Sequence, residues 1–196
     1  EDIRKFLKLL RQNDFSVLYA ESGIGKTSFI NAGIMPAFID TDYYFIRIEF
    51  PFEVLTVTDD KSSEELVANF ERWLCNKIFP NVPNEENLIK AELFQELNGI
   101  IEVNSDLEHN LWWKLHAYKY QAEGRTVKPF IVFDQFEEVF QKANQTLLHE
   151  LFAILDSLSS RIPPRAALDK LYEFEEKGIF VPLESSINFK VLFSLR

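Results

Sequence analysis

The chain has 196 residues, 46% hydrophobic and 27% charged, which is the balance of a folded protein with room for one sizeable domain or two small ones. Its 21 Lys and Arg against 31 Asp and Glu leave a net charge of −10, an unsuitable balance for wrapping nucleic acid or coating an anionic membrane. A single cysteine, Cys75, excludes an internal disulfide, and with 3 His beside it a structural zinc site is a poor fit.

In chain order, Ile3, Phe6, Leu7 and Leu10 have helical spacing, and Ser16 to Ala20 reads as a short buried strand. Glu21 to Gly25 is a glycine turn, after which Phe29, Ile30 and Ile34 resume helical spacing over Lys26 to Ala37. Tyr43 to Phe50, aromatic and β-branched and followed by Pro51, is a strand. Ser62 and Glu65 fit a capping box, and Leu66, Phe70, Trp73, Leu74 and Ile78 mark the apolar face of the helix behind it. Two further helices are expected, about Glu85 to Leu97 and Leu107 to Tyr120, the second ended by Gly124. Adjacent Trp112 and Trp113 should not both face one core, so one is expected to be partly exposed.

Pro129 to Phe133 is apolar throughout and ends in Asp134, as a strand in the middle of a parallel sheet would. Asn144 can cap a helix through Leu158 with Leu147, Leu148, Leu151, Phe152 and Leu155 inward. Pro163-Pro164 break the chain, Ala166 to Glu176 forms another helix, and Phe189 to Leu195 is the last strand. Strands alternating with helices imply an α/β fold built from crossover connections.

The strongest chemical signal is Ala20-Glu21-Ser22-Gly23-Ile24-Gly25-Lys26-Thr27, which matches G-x-x-x-x-G-K-[ST] with Ala20 where the first Gly would stand. A small residue there still allows the tight turn. A loop that wraps a phosphate must converge its backbone N–H groups, and Gly23 and Gly25 permit that. The following helix aims its positive end at the same anion, Lys26 reaches the β- and γ-phosphates, and the Thr27 hydroxyl sits on Mg²⁺. A glycine turn that binds nothing would not need the strand, the glycines, the Lys, the Thr and the helix to agree.

Asp134, at the tip of a buried strand, is the expected partner of Thr27 on Mg²⁺. Glu137 and Glu138 follow at once; one can polarise an attacking water, the other can be a solvated carboxylate at a helix start, and spacing alone leaves the choice open. A strand inserted between the loop strand and the Asp134 strand separates the additional-strand class of P-loop proteins from kinases and GTPases. The last strand would be that insertion. It ends in Arg196, which can point at a γ-phosphate or simply be an exposed charge. Cys75 reads as a buried apolar residue, and His109 and His116 lack the i,i+4 spacing of a helical metal pair.

These residues together resemble the STAND class of P-loop NTPases, and within it the novel-STAND type. The loop running into Ser28-Phe29-Ile30-Asn31-Ala32-Gly33-Ile34-Met35-Pro36, the stretch Phe133-Asp134-Gln135-Phe136-Glu137-Glu138-Val139-Phe140, and Phe193-Ser194-Leu195-Arg196 are similar to that family's phosphate loop, D-Q-F-E-E-h-F signature and strand-end sensor Arg. The resemblance implies a three-layer core with a parallel sheet of the additional-strand class. The core would be cut after the sensor strand and carry a helical insertion at about 56–128, within a single partial NTPase domain over 1–196. It implies ATP and Mg²⁺ as ligands, with Ser22, Gly23, Ile24, Gly25, Lys26, Thr27 and Ser28 around the phosphates. Thr27 and Asp134 would lie on the metal, Glu137 or Glu138 on the water, and Arg196 on the γ-phosphate.

Such proteins are large signalling ATPases with effector and sensor domains, some in antiviral defence, in which ATP drives homo-oligomerisation. The family's G-R-x-x-E stretch is not visible here, and the lid would lie beyond Arg196. A cytoplasmic location is expected, since no apolar run approaches the ~20 residues that span a bilayer. Two other readings stand beside this one: a self-contained P-loop ATPase or kinase, and a module that holds nucleotide without hydrolysing it.

Overall fold

The computed structural model describes residues 2–21, 23–39, 41–50, 63–78, 110–117, 120–122, 125–160, 162–179 and 187–196. In chain order these are α1 (Asp2–Gln12), β1 (Phe15–Tyr19), α2 (Lys26–Phe29), β2 (Tyr43–Ile48), α3 (Ser63–Ile78), α4 (Leu111–Ala117), β3 (Tyr120–Ala122), β4 (Arg125–Phe133), α5 (Glu137–Lys142), α6 (Gln145–Ser160), α7 (Arg165–Glu176) and β5 (Lys190–Leu195). Ser62 and the helix expected over Glu85 to Leu97 lie outside the described residues.

Four strands run parallel in the order β1-β5-β4-β2, and β3 pairs antiparallel with the start of β4. The last strand of the chain therefore lies between the loop strand and the Asp134 strand, where the additional-strand arrangement puts it. The register sets Val17 beside Phe193 and Phe133 beside Phe193. β3 and the early start of β4 at Arg125 were not expected; this hairpin falls where the apolar pattern is weakest.

Helices cover both faces, giving three layers. On one face Leu10 of α1 and Ile30, Ile34 and Phe38 of the turns that follow α2 pack against Phe130, Val132 and Leu192. On the other, α3, α4, α6 and α7 pack Leu74, Trp112, Leu151 and Phe174 against Ile131, Phe133 and Val191. Alternate residues of β4 thus feed two cores, which is why its sequence is apolar without alternation. Burying each such side chain is worth about 1.5–3 kcal/mol.

Three local expectations are corrected. Trp112 and Trp113 are both buried, at 2% and 3% exposure. α4 buries neighbouring faces: Trp112 stacks on His116 at 4.6 Å, while Trp113 meets the Phe174 ring of α7 at 6.0 Å. Phe152 is exposed, touching the half-exposed Phe140 ring at 5.9 Å. Leu147, Leu151 and Leu158 define the inner stripe of α6. At 3.6 residues per turn Phe152 lies about 120° round from its centre. The helix opened by Lys26 is α-helical for one turn only, then widens to a π turn over Ile30–Ile34 and tightens to 3₁₀ over Met35–Phe38. Pro36 has no N–H to give to the α ladder, so the chain changes pitch around it.

Two further expectations differ. β1, read as a buried strand, stands at the end of the order β1-β5-β4-β2 with Val17 and Tyr19 exposed. The helix expected over Leu107 to Tyr120 is seen over Leu111–Ala117, with Tyr120 opening β3. Asn144 Oδ1 accepts from Leu147 N at 2.8 Å as the cap of α6, and Pro164 is the extended residue before α7. Cys75 is fully buried, and burial, with the charge of Glu71, pushes its thiol up to about 12.

Candidate functional site

The four parallel strands all end on one edge of the sheet, at Tyr19, Leu195, Phe133 and Ile48. Crossover connections leave a crevice at the carboxyl ends of such strands, and it is there that open α/β sheets bind ligands. The ladder runs one step past β1, Ala20 N donating to Leu195 O at 3.2 Å, before the glycine loop lifts away.

Gly23 and Gly25 have φ of +82° and +86°. A Cβ would meet nothing within 4 Å at Gly23 and only Ser28 Cβ at 3.9 Å at Gly25, so backbone conformation, not space, requires glycine at both. Lys26 Nζ donates back across the loop to Ala20 O at 2.6 Å and Glu21 O at 3.1 Å, which places the ammonium at the loop's mouth. Ile24 and Ser28 are exposed beside it. Ser22 lies outside the described residues.

Thr27 Oγ1 donates to Asp134 Oδ2 at 3.0 Å, across a sequence separation of 107 residues. Asp134 is buried, at 1% exposure. Its own N–H donates to Ile48 O at 2.9 Å and its Oδ1 accepts from Gln135 N at 3.0 Å. Gln135 is the non-glycine residue with positive φ, +55°, among those described. This left-handed residue turns β4 into α5, and Phe136 N anchors the turn by donating to Ser194 O at 2.9 Å. The Phe136 ring packs on Phe193 at 4.9 Å and Phe133 at 5.7 Å, which fixes where α5 starts.

That anchoring separates the two glutamates. Glu137 is buried with its carboxylate beside Arg196, whose Nε lies 2.7 Å from Oε1. Apart from that ion pair, neither Glu137 oxygen accepts a hydrogen bond among the described residues. Glu138 points outward and pairs with Lys142 one turn on.

Two residues escaped the sequence reading. Arg47 on β2 reaches Asp134, Nη2 to Oδ2 at 2.7 Å, and also pairs with Glu49. Its signal was there: one arginine in Tyr-Tyr-Phe-Ile-Arg-Ile, a strand in which an unpaired charge is costly. Ser194 is fully buried on β5, next in register to Asp134, and its hydroxyl has no partner among the described residues.

Among the described residues no group of three or more His, Cys, Asp or Glu side chains lies together. A cation here would take Thr27 and Asp134 as protein ligands and complete its shell with water and phosphate oxygens. That all-oxygen set suits Mg²⁺, which keeps several waters when protein-bound. The residues present therefore fit a metal–nucleotide pair.

Among the described residues no helix is long and apolar enough to cross a membrane. No curated protein and no solved structure matches the chain. The family model described as Novel STAND NTPase 1 matches residues 1–168, a span holding the glycine loop, Thr27, Arg47, Asp134 and both glutamates and stopping short of β5. A match over most of the chain, on a parallel sheet whose strand ends gather those same residues, establishes that the chain belongs to the novel STAND NTPases.

Proposed function

We propose that this domain binds ATP with Mg²⁺, hydrolyses it slowly, and acts as the nucleotide-dependent switch of a larger signalling protein. The observation that carries the reading is the Thr27–Asp134 contact, which joins the glycine loop to the acidic strand end.

The loop N–H groups and Lys26 hold the phosphates, and Thr27 and Asp134 hold the metal. When bound, Mg²⁺ neutralises charge on the phosphate oxygens. Glu137, rather than Glu138, takes the proton of the attacking water: it is buried beside Arg196 with its oxygens unsatisfied, whereas Glu138 is occupied by Lys142 on the helix surface. Arg196, half-exposed at the tip of β5, reaches toward a γ-phosphate and distinguishes ATP from ADP. The chain acts as one NTPase domain with an insertion at about 56–128. In the full-length cytoplasmic protein, ATP favours homo-oligomerisation and activates an effector domain, as in a bacterial defence or signalling protein.

Calorimetry of ATP on the wild-type chain and on Lys26→Ala tests the first step. Loss of a charge-assisted phosphate contact, worth about 1.5–3 kcal/mol, should weaken binding at least tenfold with the fold intact. Unchanged affinity would overturn the assignment of the loop.

A further inference from the structure

Asp134 Oδ2 faces two donors at once. Thr27 Oγ1 reaches it at 3.0 Å and Arg47 Nη2 at 2.7 Å. The other oxygen, Oδ1, is committed to Gln135 N. Oδ2 is therefore the oxygen a divalent cation between Thr27 and Asp134 would need. A guanidinium and a divalent cation on one buried carboxylate oxygen repel each other strongly, because screening there is weak.

The parallel register makes the meeting unavoidable. Arg47 lies beside Val132, two residues before Asp134, and the Asp134 N–H continues the β2–β4 ladder by donating to Ile48 O. The main chain is held by that bond, and the carboxylate by the bond from Gln135 N and by burial. The arginine is not: its side chain is 31% exposed, and it already touches a second acid, Glu49, which is 58% exposed. One anchored acid and one arm with two seats form an arrangement that can exchange partners.

We propose that Arg47 and the divalent cation exclude one another at Asp134 Oδ2, so that Arg47 sets the Mg²⁺ concentration at which the domain takes up nucleotide. When the cation takes Oδ2, Arg47 passes to Glu49, and metal occupancy is thereby transmitted to the end of β2. The inference rests on the reading of Thr27 and Asp134 as metal ligands.

The test is a Mg²⁺ titration of the binding of a fluorescent ATP analogue to the full chain, read by anisotropy, with Mn²⁺ binding followed by electron paramagnetic resonance as a second readout. Arg47→Met should lower the Mg²⁺ midpoint about tenfold, since it removes a competing charge at short range. Glu49→Gln, a surface change that spares the fold, removes the second seat and should raise the midpoint about threefold by leaving Arg47 on Asp134. An unchanged or raised midpoint in Arg47→Met, or an unchanged or lowered one in Glu49→Gln, overturns the competition while leaving the metal site standing. A wild-type chain that binds the analogue with no Mg²⁺ dependence overturns the metal reading, and this inference with it.

Discussion

β5 carries a cation at each end, and the two are held in opposite ways. At the start of the strand Lys190 is buried, at 4% side-chain exposure, and donates to Asn13 O at 2.8 Å, with Arg11 O at 3.5 Å and Asp14, 40% exposed, at 3.5 Å. At its end Arg196 is 50% exposed while its partner Glu137 is 10% exposed. Arg47 and Asp134 repeat the second arrangement on the neighbouring strands. One edge of the sheet thus buries the cation and leaves the acid in water, and the other buries the acids and leaves the cations as arms.

The contrast separates fastening from function. Lys190 gathers the carbonyls at the end of α1, where the helix dipole is negative, and ties that helix to the sheet. Burial pulls its pKa down and Asp14 pushes it back, as expected of a charge kept for structure. At the opposite edge both acids are buried, Asp134 with a bond from Gln135 N, while their cations are part-exposed. That arrangement suits the metal and phosphate binding proposed above, which needs stationary carboxylates and movable counter-charges.

The largest test of this comparison is on the two glutamates. On the reading proposed above, Glu137→Gln should slow ATP turnover about 100-fold or more, since general-base catalysis contributes on that order, while ATP stays bound. The amide keeps the shape but accepts no proton. Glu138→Gln should change turnover less than about threefold, because its pair with Lys142 is a surface i,i+4 contact. Single-turnover hydrolysis measures both, and equal effects would remove the distinction drawn from burial.

How much of this could be read in the residues follows from how local each feature is. The glycine loop was legible because its chemistry is confined to Ala20 to Thr27, and Asp134 because a fully apolar strand announced its own end. The place of β5 followed from counting strands between those two motifs. Choosing between Glu137 and Glu138 needed the Phe136 anchor on β5, a tertiary contact. Arg47 needed the β2–β4 register, which brings together residues more than 80 positions apart. Trp112 and Trp113 misled because α4 packs among α3, α6 and α7, so that adjacent side chains on it both enter the core.

A smaller effect separates the two ends of β5 directly. Lys190→Met should cost about 2 kcal/mol, a Tm lower by about 4–8 °C, with nucleotide affinity of the folded protein unchanged. Arg196→Met leaves the buried Glu137 carboxylate without its counter-charge and should also cost stability, but unlike Lys190→Met it should narrow the difference between ATP and ADP affinity. Thermal melts with matched calorimetry check both. A destabilised Arg196 variant with intact nucleotide discrimination would show that both cations are fasteners.

Glu71 on α3 probes the same rule with a backbone amide in place of a guanidinium. Its Oε1 accepts from Leu111 N at 2.9 Å, at the start of α4. Burial raises its pKa above the ordinary 4.5, and that hydrogen bond offsets the rise only in part. With the folded value above the unfolded one, the native state binds more protons between the two. Stability therefore falls as pH rises from about 4.5 through the folded pKa and levels off above it. Glu71→Gln keeps an acceptor for Leu111 N and cannot ionise. It should flatten that part of the stability profile and leave the protein as stable at pH 7 as the wild type, or more so by less than about 1 kcal/mol. Urea unfolding between pH 4.5 and 8 reads the slope directly. A variant that is less stable at pH 7 would mean that the ionised carboxylate is favoured where it sits, and that an amide N–H can hold a part-buried acid in this fold as Arg47 and Arg196 hold theirs.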